Sequence, residues 1–210
     1  MKKNEKYVIT INRELGSGGR TVGRLLSERL QVKYYDKTLI ERLTQKFNLS
    51  AEEIERIKGK KKTWWNEFNT YYQLLNSTSK PMEAETVINS KILFETEREI
   101  LTTLAAEESC VVAGRSGFLI FRDHPNHLNI FIEASMEHRI QRLMRKKNIM
   151  RQEAIDIINK VDKERETFIQ KYEDTSRYDT RNYHLIINMD ELSEEGAVDV
   201  IMSYINAQTD

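Results

Sequence analysis

Short apolar runs alternate with longer amphipathic stretches along the chain. The short runs are rich in valine, isoleucine and tyrosine and lack polar alternation, which is typical of strands buried on both faces. Between them, apolar residues spaced by three and four positions predict helices. Regular alternation of such strands and helices favours an α/β fold, a parallel sheet covered by helices on both faces. The five predicted strands span residues 7–11, 32–35, 110–113, 128–132 and 183–188.

The amphipathic stretches predict the helices and some of their ends. A helix over residues 22–30 follows the first strand, and residues 37–104 are almost wholly helical in pattern. Ser135 and Ser193 are predicted N-caps, because a serine hydroxyl can accept a hydrogen bond from the first free amides of a helix. Another long helix is predicted over residues 152–172. A chain of 210 residues suffices for one sizeable core, so we expect one domain.

Composition and charge narrow the class of protein. The chain carries 33 basic and 33 acidic side chains, whereas a dedicated nucleic-acid binder usually needs a basic excess. It contains neither an apolar window long enough to cross a membrane nor a signal-peptide core. Its single cysteine, Cys110, cannot form an intramolecular disulfide. We therefore expect a cytoplasmic globular protein with no nucleic-acid or membrane partner.

A glycine-rich turn directly follows the first strand. It consists of Gly16, Ser17, Gly18, Gly19, Arg20 and Thr21. Ligands of parallel α/β sheets bind beyond the carboxyl ends of the strands, and glycines there let the backbone wrap closely around an anion. The following helix presents free N–H groups and a partial positive charge, and Arg13, Arg20 and Arg24 add cationic donors nearby. The turn predicts a phosphate-binding loop, with a plain strand-to-helix connection as the alternative.

Six segments carry a resemblance to a known family. They read ITINRELGSGGRTVGRLLSERL, YYDKTLI, VVAGRSG, LNIFIEASMEHRIQRLMRK, VDKERETFIQKY and YHLIINMDEL. In order and spacing they resemble the cytidylate kinase-like family of the P-loop nucleoside monophosphate kinases. The resemblance implies a P-loop NTPase fold whose core spans residues 5–47 and 91–210, with a helical acceptor-binding insert over 48–90 and a lid over 145–172. It also implies ATP with Mg²⁺ as phosphate donor and CMP or dCMP as acceptor.

The same resemblance assigns roles to the glycine-rich turn. Its residues would hold the phosphates of ATP, with Thr21 as a ligand of Mg²⁺ and Arg20 acting in catalysis. The general pattern is G-x-x-x-x-G-K-[ST], and many nucleotide kinases end it with G-K-G-T. On that second form, Gly19 stands in place of the lysine that normally reaches the β- and γ-phosphates, and Thr21 matches the threonine. Arg20 or Arg24 is a candidate replacement, since a guanidinium binds phosphate through two parallel hydrogen bonds. The departure makes nucleotide binding a firmer expectation than turnover.

Residues of the acceptor site also follow from the resemblance. Asp36 would hold the waters of Mg²⁺ or the attacking phosphate, and Arg42 would bind the acceptor phosphate. Arg115 would be a second phosphate clamp, and both Asp36 and Arg115 would act in catalysis. Ser116 stands where cytidylate kinases carry an acidic residue. The alternatives are that Asp36 is only the N-cap of the next helix and that Arg42 lies on a solvated helix face.

Two helices after the fourth strand would form the lid. The resemblance places Arg139 and Arg142 over ATP and the transferring phosphoryl group, whereas the simpler alternative is the solvated face of an amphipathic helix. On the next helix, the predicted apolar stripe contains Ala154, Ile158, Val161, Phe168 and Tyr172. Arg165 falls within that stripe, and a buried guanidinium needs an anionic partner. Asp162, three residues earlier, could supply it. The resemblance instead places Asp162 at the acceptor base or sugar and Arg165, as a catalytic residue, at phosphate.

The sequence thus supports one leading hypothesis and leaves others open. The leading hypothesis is an ATP-dependent nucleoside monophosphate kinase that phosphorylates CMP or dCMP. A nucleotide-binding regulatory module with little turnover is motivated by Gly19 and Ser116. A kinase for a different small-molecule acceptor is the third hypothesis. Aromatic residues over 64–72 indicate either the core of the insert or a subunit contact, so a homodimer is a further option.

Overall fold

The computed structural model describes residues 5–36, 90–114 and 116–208. The chain divides into two compact units, one formed by Met1–Asp36 with Ala105–Asp210 and the other by Lys37–Leu104. The helices predicted within residues 38–57 and nearly all of the predicted insert lie outside the described residues. Within the described ranges, no helix is both long enough and apolar enough to cross a membrane.

Strands and helices alternate in the predicted order. The elements are β1 (Val8–Arg13), α1 (Gly19–Leu30), β2 (Lys33–Asp36), α2 (Ser90–Glu107), β3 (Cys110–Ala113), α3 (Gly117–Ile120), β4 (His127–Glu133), α4 (Met136–Lys147), α5 (Arg151–Tyr172), a 3₁₀ turn (Thr180–Asn182), β5 (Leu185–Asn188) and α6 (Glu194–Ala207). The short helix α3 has no counterpart in the prediction, because four residues are too few to show a helical period.

The strands form one five-stranded parallel sheet in the order β2-β3-β1-β4-β5. Strand β1 is central, and its Ile9 pairs with Val111 of β3 and with Leu128 of β4. The predicted α/β fold with a five-stranded parallel sheet is confirmed. Because all strands run in one direction, the segments after β1, β2, β3 and β4 leave the sheet at the same edge.

Helices α1 and α6 pack on the sheet through a shared apolar core. Leu26 of α1 and Ile201 of α6 are fully buried in the same cluster as Ile9 and Val111 of the sheet. Each such side chain contributes roughly 1.5–3 kcal/mol when it leaves water. This core sets the position of α1 relative to β1. It therefore also sets the positions of the two ends of the segment that connects them.

Helix α5 buries the predicted stripe at Ala154 and Ile158 but departs from it further along the helix. It forms a small core with α4 that contains Ile140, Leu143, Ala154 and Ile158. One turn further, Asp162 is buried, as is Ile169, whereas the predicted stripe passed through Val161 and Phe168, which are only partly buried. Hydrophobic periodicity alone misplaced the stripe because a carboxylate occupies a core position.

The predicted helix caps are confirmed, while one strand is shorter than predicted. The hydroxyl of Ser135 accepts a hydrogen bond from the backbone N–H of His138, and that of Ser193 accepts one from Gly196. Strand β5 begins at Leu185 rather than at residue 183. Tyr183 instead closes the 3₁₀ turn, and its hydroxyl donates to the carbonyl of Arg177 at 2.6 Å.

Candidate phosphate-binding site

Residues 16–21, here called the glycine loop, connect β1 to α1 at the carboxyl edge of the sheet. Gly16 and Gly18 have φ of 89° and 93°, a left-handed conformation that glycine adopts without steric cost. The amides of Gly16, Gly18 and Gly19 donate no hydrogen bond to any group in the described part of the chain. Successive free amides in such a turn form a concavity that binds anions.

Side-chain hydrogen bonds hold the glycine loop against the end of β4. The Ser17 hydroxyl is 3.0 Å from the carbonyl oxygens of both Glu14 and Ile132. The Glu14 carboxylate accepts a hydrogen bond from the backbone N–H of Ala134, and burial raises its pKa. Both donors of Ser17 are engaged within the protein, because its backbone N–H also donates to the carbonyl of Glu14 at 3.4 Å. The predicted phosphate contact of Ser17 stays a prediction. Sequence reasoning missed Glu14.

Arg142 belongs to α4, and its side chain reaches the start of α1 beside the glycine loop. Its Nη2 is 3.2 Å from the hydroxyl oxygen of Thr21 and 2.5 Å from a carboxylate oxygen of Glu194. A Cβ added to Gly18 would lie 3.5 Å from the Arg142 guanidinium carbon. Although burial opposes ionisation of Glu194, the hydrogen bond from Arg142 keeps its pKa below the ordinary value. The structure thus brings Arg142 and Thr21 together, and Glu194 is a partner that the sequence did not indicate.

A buried carboxylate joins α4 and α5 to the residue that precedes the glycine loop. The carboxylate oxygens of Asp162 lie 2.5 Å from Nη1 of Arg139, 3.3 Å from Nη1 of Arg165 and 3.4 Å from Nη1 of Arg177. Asp162 also accepts a hydrogen bond from the backbone N–H of Leu15 at 3.0 Å. We call Asp162 and these three arginines the Asp162 cluster. Arg139 is only 6% exposed, so it is not on a solvated helix face.

The pairing of Arg165 with Asp162 is seen in the structure, whereas the roles of the two residues at a substrate stay predictions. Arg165 does pair with Asp162, as the structural alternative expects. It also donates to the carbonyl of Arg13 at the end of β1, which places its guanidinium next to the glycine loop. Burial and the neighbouring Arg13 and Arg177 lower the pKa of Arg165 to about 10.

Arg177 is the most enclosed cation near the site, with 1% of its surface exposed. Its guanidinium carbon lies 5.8 Å from the ring centroid of Phe131 and 5.1 Å from that of Tyr178, distances at which a cation is attracted to an aromatic face. It also donates to the carbonyl of Arg13. Sequence reasoning missed Arg177, because it lies in the irregular segment between α5 and β5, where no period marks a buried position.

Asp36 and Arg20 form an ion pair at the end of β2. The Asp36 carboxylate is 5% exposed and lies 2.7 Å from Nε and 2.6 Å from Nη2 of Arg20. Asp36 pairs with Ala113 across the sheet, so it reaches the same edge as the glycine loop. The helix that Asp36 was predicted to cap lies outside the described residues, as do Arg42 and Arg115.

This edge of the sheet concentrates groups that bind anions. Free amides and the guanidinium of Arg142 adjoin the glycine loop, and arginines of the Asp162 cluster lie behind it. Within the described ranges, no three His, Cys, Asp or Glu side chains could together hold a metal ion. The arrangement suits a phosphate group. A metal ion that accompanies such a group takes part of its ligands from the phosphates themselves.

Comparisons with known proteins agree with this geometry. The family model "Cytidylate kinase-like family" matches residues 8–191. A cytidylate kinase of Sulfurisphaera tokodaii is 26% identical over 95% of each chain. An uncharacterized protein from Eubacterium ventriosum has a similar structure, with a TM-score of 0.72 and 21% identity over 97% of this chain and 100% of that one.

The fold is also that of a P-loop kinase. Shikimate kinase from Acinetobacter baumannii, solved in complex with shikimate, gives a TM-score of 0.52 at 15% identity over 97% of this chain and 96% of that one. The family model spans β1, the glycine loop, the lid helices and β5. With the sheet, the loop and most of the sequence all accounted for, this chain belongs to the cytidylate kinase-like family.

Proposed function

We propose that this chain is an ATP-dependent phosphotransferase that converts CMP or dCMP to the nucleoside diphosphate. Family membership and the P-loop kinase fold support a nucleotide kinase, and the curated relative is itself named a cytidylate kinase. The observation that carries the proposal is the glycine loop, which follows the central strand and has free amides at Gly16, Gly18 and Gly19. A phosphate chain supplies the acceptors that these amides lack.

The donor nucleotide would bind through backbone and arginine together. The loop amides and the positive end of α1 would bind the phosphate chain of ATP, and Arg142 would add a charge-assisted contact from above Gly18. Phosphoryl transfer requires little covalent help from the protein, so positioning and charge stabilisation account for most of the catalysis.

Mg²⁺ fits the oxygen donors at this edge. Mg²⁺ bound with a nucleotide typically takes one or two protein oxygens and completes its shell with phosphates and water. The Thr21 hydroxyl and the Asp36 carboxylate provide such oxygens, Thr21 at the start of α1 and Asp36 at the end of β2. When bound, the ion would neutralise charge on the transferring phosphoryl group.

The acceptor phosphate would be bound by Arg42 and Arg115. Asp162 would reach the acceptor base or sugar only by giving up part of its bonds to the arginines of the Asp162 cluster. Arg139 and Arg165 would contribute from the lid, since the Asp162 cluster already places them beside the loop. Closure of the lid would exclude water, which otherwise competes with the acceptor for the phosphoryl group. We expect R115A to abolish transfer, because it would remove a charge next to the transferring group.

The experiment is a turnover panel with the purified chain. MgATP is combined with CMP, dCMP, UMP, AMP and non-nucleotide metabolites, and ADP and the phosphorylated acceptor are both measured. We expect CMP and dCMP to give the diphosphate with stoichiometric ADP. Product from a non-nucleotide acceptor alone would contradict the assignment of the acceptor, and no transfer to any acceptor would contradict kinase activity.

A regulatory module that binds nucleotide with little turnover is the second candidate. It is favoured by Gly19, which provides no cation where P-loop kinases have lysine. Calorimetric binding of MgATP, together with no product from any acceptor in the panel, would support it. Multiple turnovers with CMP would exclude it.

A further inference from the structure

The lysine position of the loop is closed to any side chain. A Cβ added to Gly19 would lie 2.8 Å from Cβ and 3.2 Å from Cδ of Arg13. Such distances are too short for carbon atoms in van der Waals contact. The absence of a lysine at position 19 is therefore coupled to the presence of Arg13, which crosses the space where that side chain would begin.

Arg13 follows a groove made by two glycines. Its aliphatic stem passes over Gly19 at the start of α1, and its guanidinium reaches Gly114, directly after β3. A Cβ on Gly114 would collide with Nη1 of Arg13, and Gly114 has a φ of 81°, which also favours glycine. Two positions without side chains thus direct the Arg13 cation along the carboxyl edge of the sheet.

The Arg13 guanidinium carries a charge without a direct counter-charge. It makes no side-chain hydrogen bond or ion pair with any residue in the described ranges. Burial lowers its pKa, although Tyr34 and Asp36 favour the charged form. Arg13 is half-buried, and a cation at such a position without an ionic partner is typical of a group that receives its partner as a ligand.

The other two candidate arginines are already paired. Arg20 binds Asp36, and the Arg20 side chain is 62% exposed. Nη1 of Arg24 lies 2.6 Å from Oε1 of Glu28, which is four residues further along the same helix, and both side chains are exposed. Both could move toward a ligand only by giving up these partners.

Arg13 also starts from a rigid backbone position. Its carbonyl accepts hydrogen bonds from Arg165 and Arg177, and its N–H donates to the side-chain oxygen of Asn12 at 3.0 Å. These hydrogen bonds fix the backbone of Arg13 at the end of the central strand. Little backbone entropy is therefore lost when its guanidinium binds a ligand.

We propose that Arg13 supplies, from the end of β1, the phosphate-binding cation that a P-loop lysine supplies from position 19. When G-x-x-x-x-G-K is laid on this chain, its first glycine falls at position 13 and its lysine at position 19. Here position 13 is an arginine and position 19 is a glycine, so the glycine and the cation have exchanged places. The forked guanidinium would contact the β- and γ-phosphates of the donor through parallel hydrogen bonds. This inference rests on the proposed binding of a nucleoside triphosphate at the glycine loop.

The test compares R13M, R13K and R20M with the exposed control R29A. Calorimetry measures the affinity for MgATP and for tripolyphosphate, and thermal unfolding without ligand measures stability. We expect R13M to weaken both affinities by about a hundredfold, as for loss of one well-placed charge. Its melting temperature should stay the same or rise, because an unpartnered cation is removed while the aliphatic stem is kept.

The conservative and control variants separate a phosphate contact from a structural role. R13K should retain more affinity than R13M, and R29A should match the wild type, because Arg29 is an exposed residue that pairs with Asp199. R20M should weaken binding less than R13M. Wild-type affinity in a folded R13M, or a larger loss in R20M, would overturn the role of Arg13 and leave the proposed function standing.

An exchange variant tests the coupling of the two positions. G19K alone should lose phosphate affinity, because its Cβ collides with Arg13. The double variant R13G/G19K should bind phosphate at least about tenfold more tightly than R13M, since one cation then stands at the usual lysine position. A folded double variant that stays at the level of R13M would contradict the exchange. No binding by the wild type would refute the proposed function and this inference together.

Discussion

The glycine loop and the Asp162 cluster are neighbours that handle charge in opposite ways. In the cluster, one buried carboxylate accepts hydrogen bonds from three guanidinium groups and from the amide of Leu15. In the loop, the amides of Gly16, Gly18 and Gly19 find no acceptor in the described part of the protein. The carboxylate of the cluster therefore has its partners within the chain, whereas the loop amides are left open to an acceptor from outside the described part of the chain.

This difference separates stability from binding. Changing the cluster should cost folding free energy, because its charges are buried and depend on each other. Changing a cation beside the loop, such as Arg142, should mainly cost affinity for phosphate, whereas Gly16 of the loop also packs against the backbone of α4. The variants below test this division.

The largest effect is expected for D162A. It would leave the buried guanidinium groups of Arg139 and Arg177 without their carboxylate, and breaking a buried ion pair in this way costs about 3–5 kcal/mol. Urea unfolding measures the loss. The control is D156A on the solvent face of the same helix, where Asp156 contacts only Gln152. A loss below about 1 kcal/mol would show that the cluster does not stabilise the fold.

G16A should reduce the free energy of unfolding by about 2 kcal/mol. Its Cβ would lie 2.8 Å from the backbone oxygen of Arg139, in a left-handed conformation that alanine resists. G18A is the matched control, since it has the same conformational strain but its nearest neighbour is 3.5 Å away. Equal losses in the two variants would mean that the contact with α4 adds nothing.

R142A should weaken binding of MgADP by roughly ten- to a hundredfold, because a charge-assisted hydrogen bond contributes about 1.5–3 kcal/mol. Its effect on stability should be small, since Arg142 pairs with a single, partly exposed Glu194. Calorimetry compares it with K147A on the exposed end of the same helix. If R142A instead unfolds the protein and leaves the affinity of the folded fraction unchanged, Arg142 belongs with the cluster rather than the loop.

The smallest effect is expected for R20A, at about 0.5–1 kcal/mol of unfolding free energy. Arg20 pairs with the buried Asp36, but the arginine itself is mostly exposed, so solvent screens the pair. R24A removes a fully surface-exposed pair and provides the lower reference in the same unfolding assay. A loss above about 2 kcal/mol would place the Arg20–Asp36 pair with the buried ion pairs.

The fold was largely predictable because it depends on local patterns. Buried parallel strands show up as uninterrupted apolar runs, and serine caps show up at single positions such as Ser135 and Ser193. Errors arose where distant contacts override local pattern. Tyr183 has strong strand propensity, yet its hydroxyl bond to the Arg177 carbonyl places it at the end of a turn.

The site was only partly predictable, for the same reason. Glycines after the first strand mark a tight strand-to-helix loop locally, so its position could be predicted, and phosphate binding by that loop stays a prediction. The partners of Glu14, Arg177 and Glu194 lie 120, 15 and 52 positions away in sequence, and no spacing rule connects them. The path of Arg13 over Gly19 likewise becomes visible only once β1, α1 and β3 are assembled.

Amide NMR of the glycine loop tests most directly whether residues 16–21 bind the phosphates of a nucleotide. The ¹⁵N-labelled full chain is titrated with MgADP, and the amide resonances of Gly16, Gly18 and Gly19 are followed against those of α6. We predict large, saturable downfield shifts at the three glycines, because each amide gains a charged acceptor. If MgADP shifts resonances elsewhere while these three stay in place, the nucleotide binds at another site and the glycine loop is only a connection.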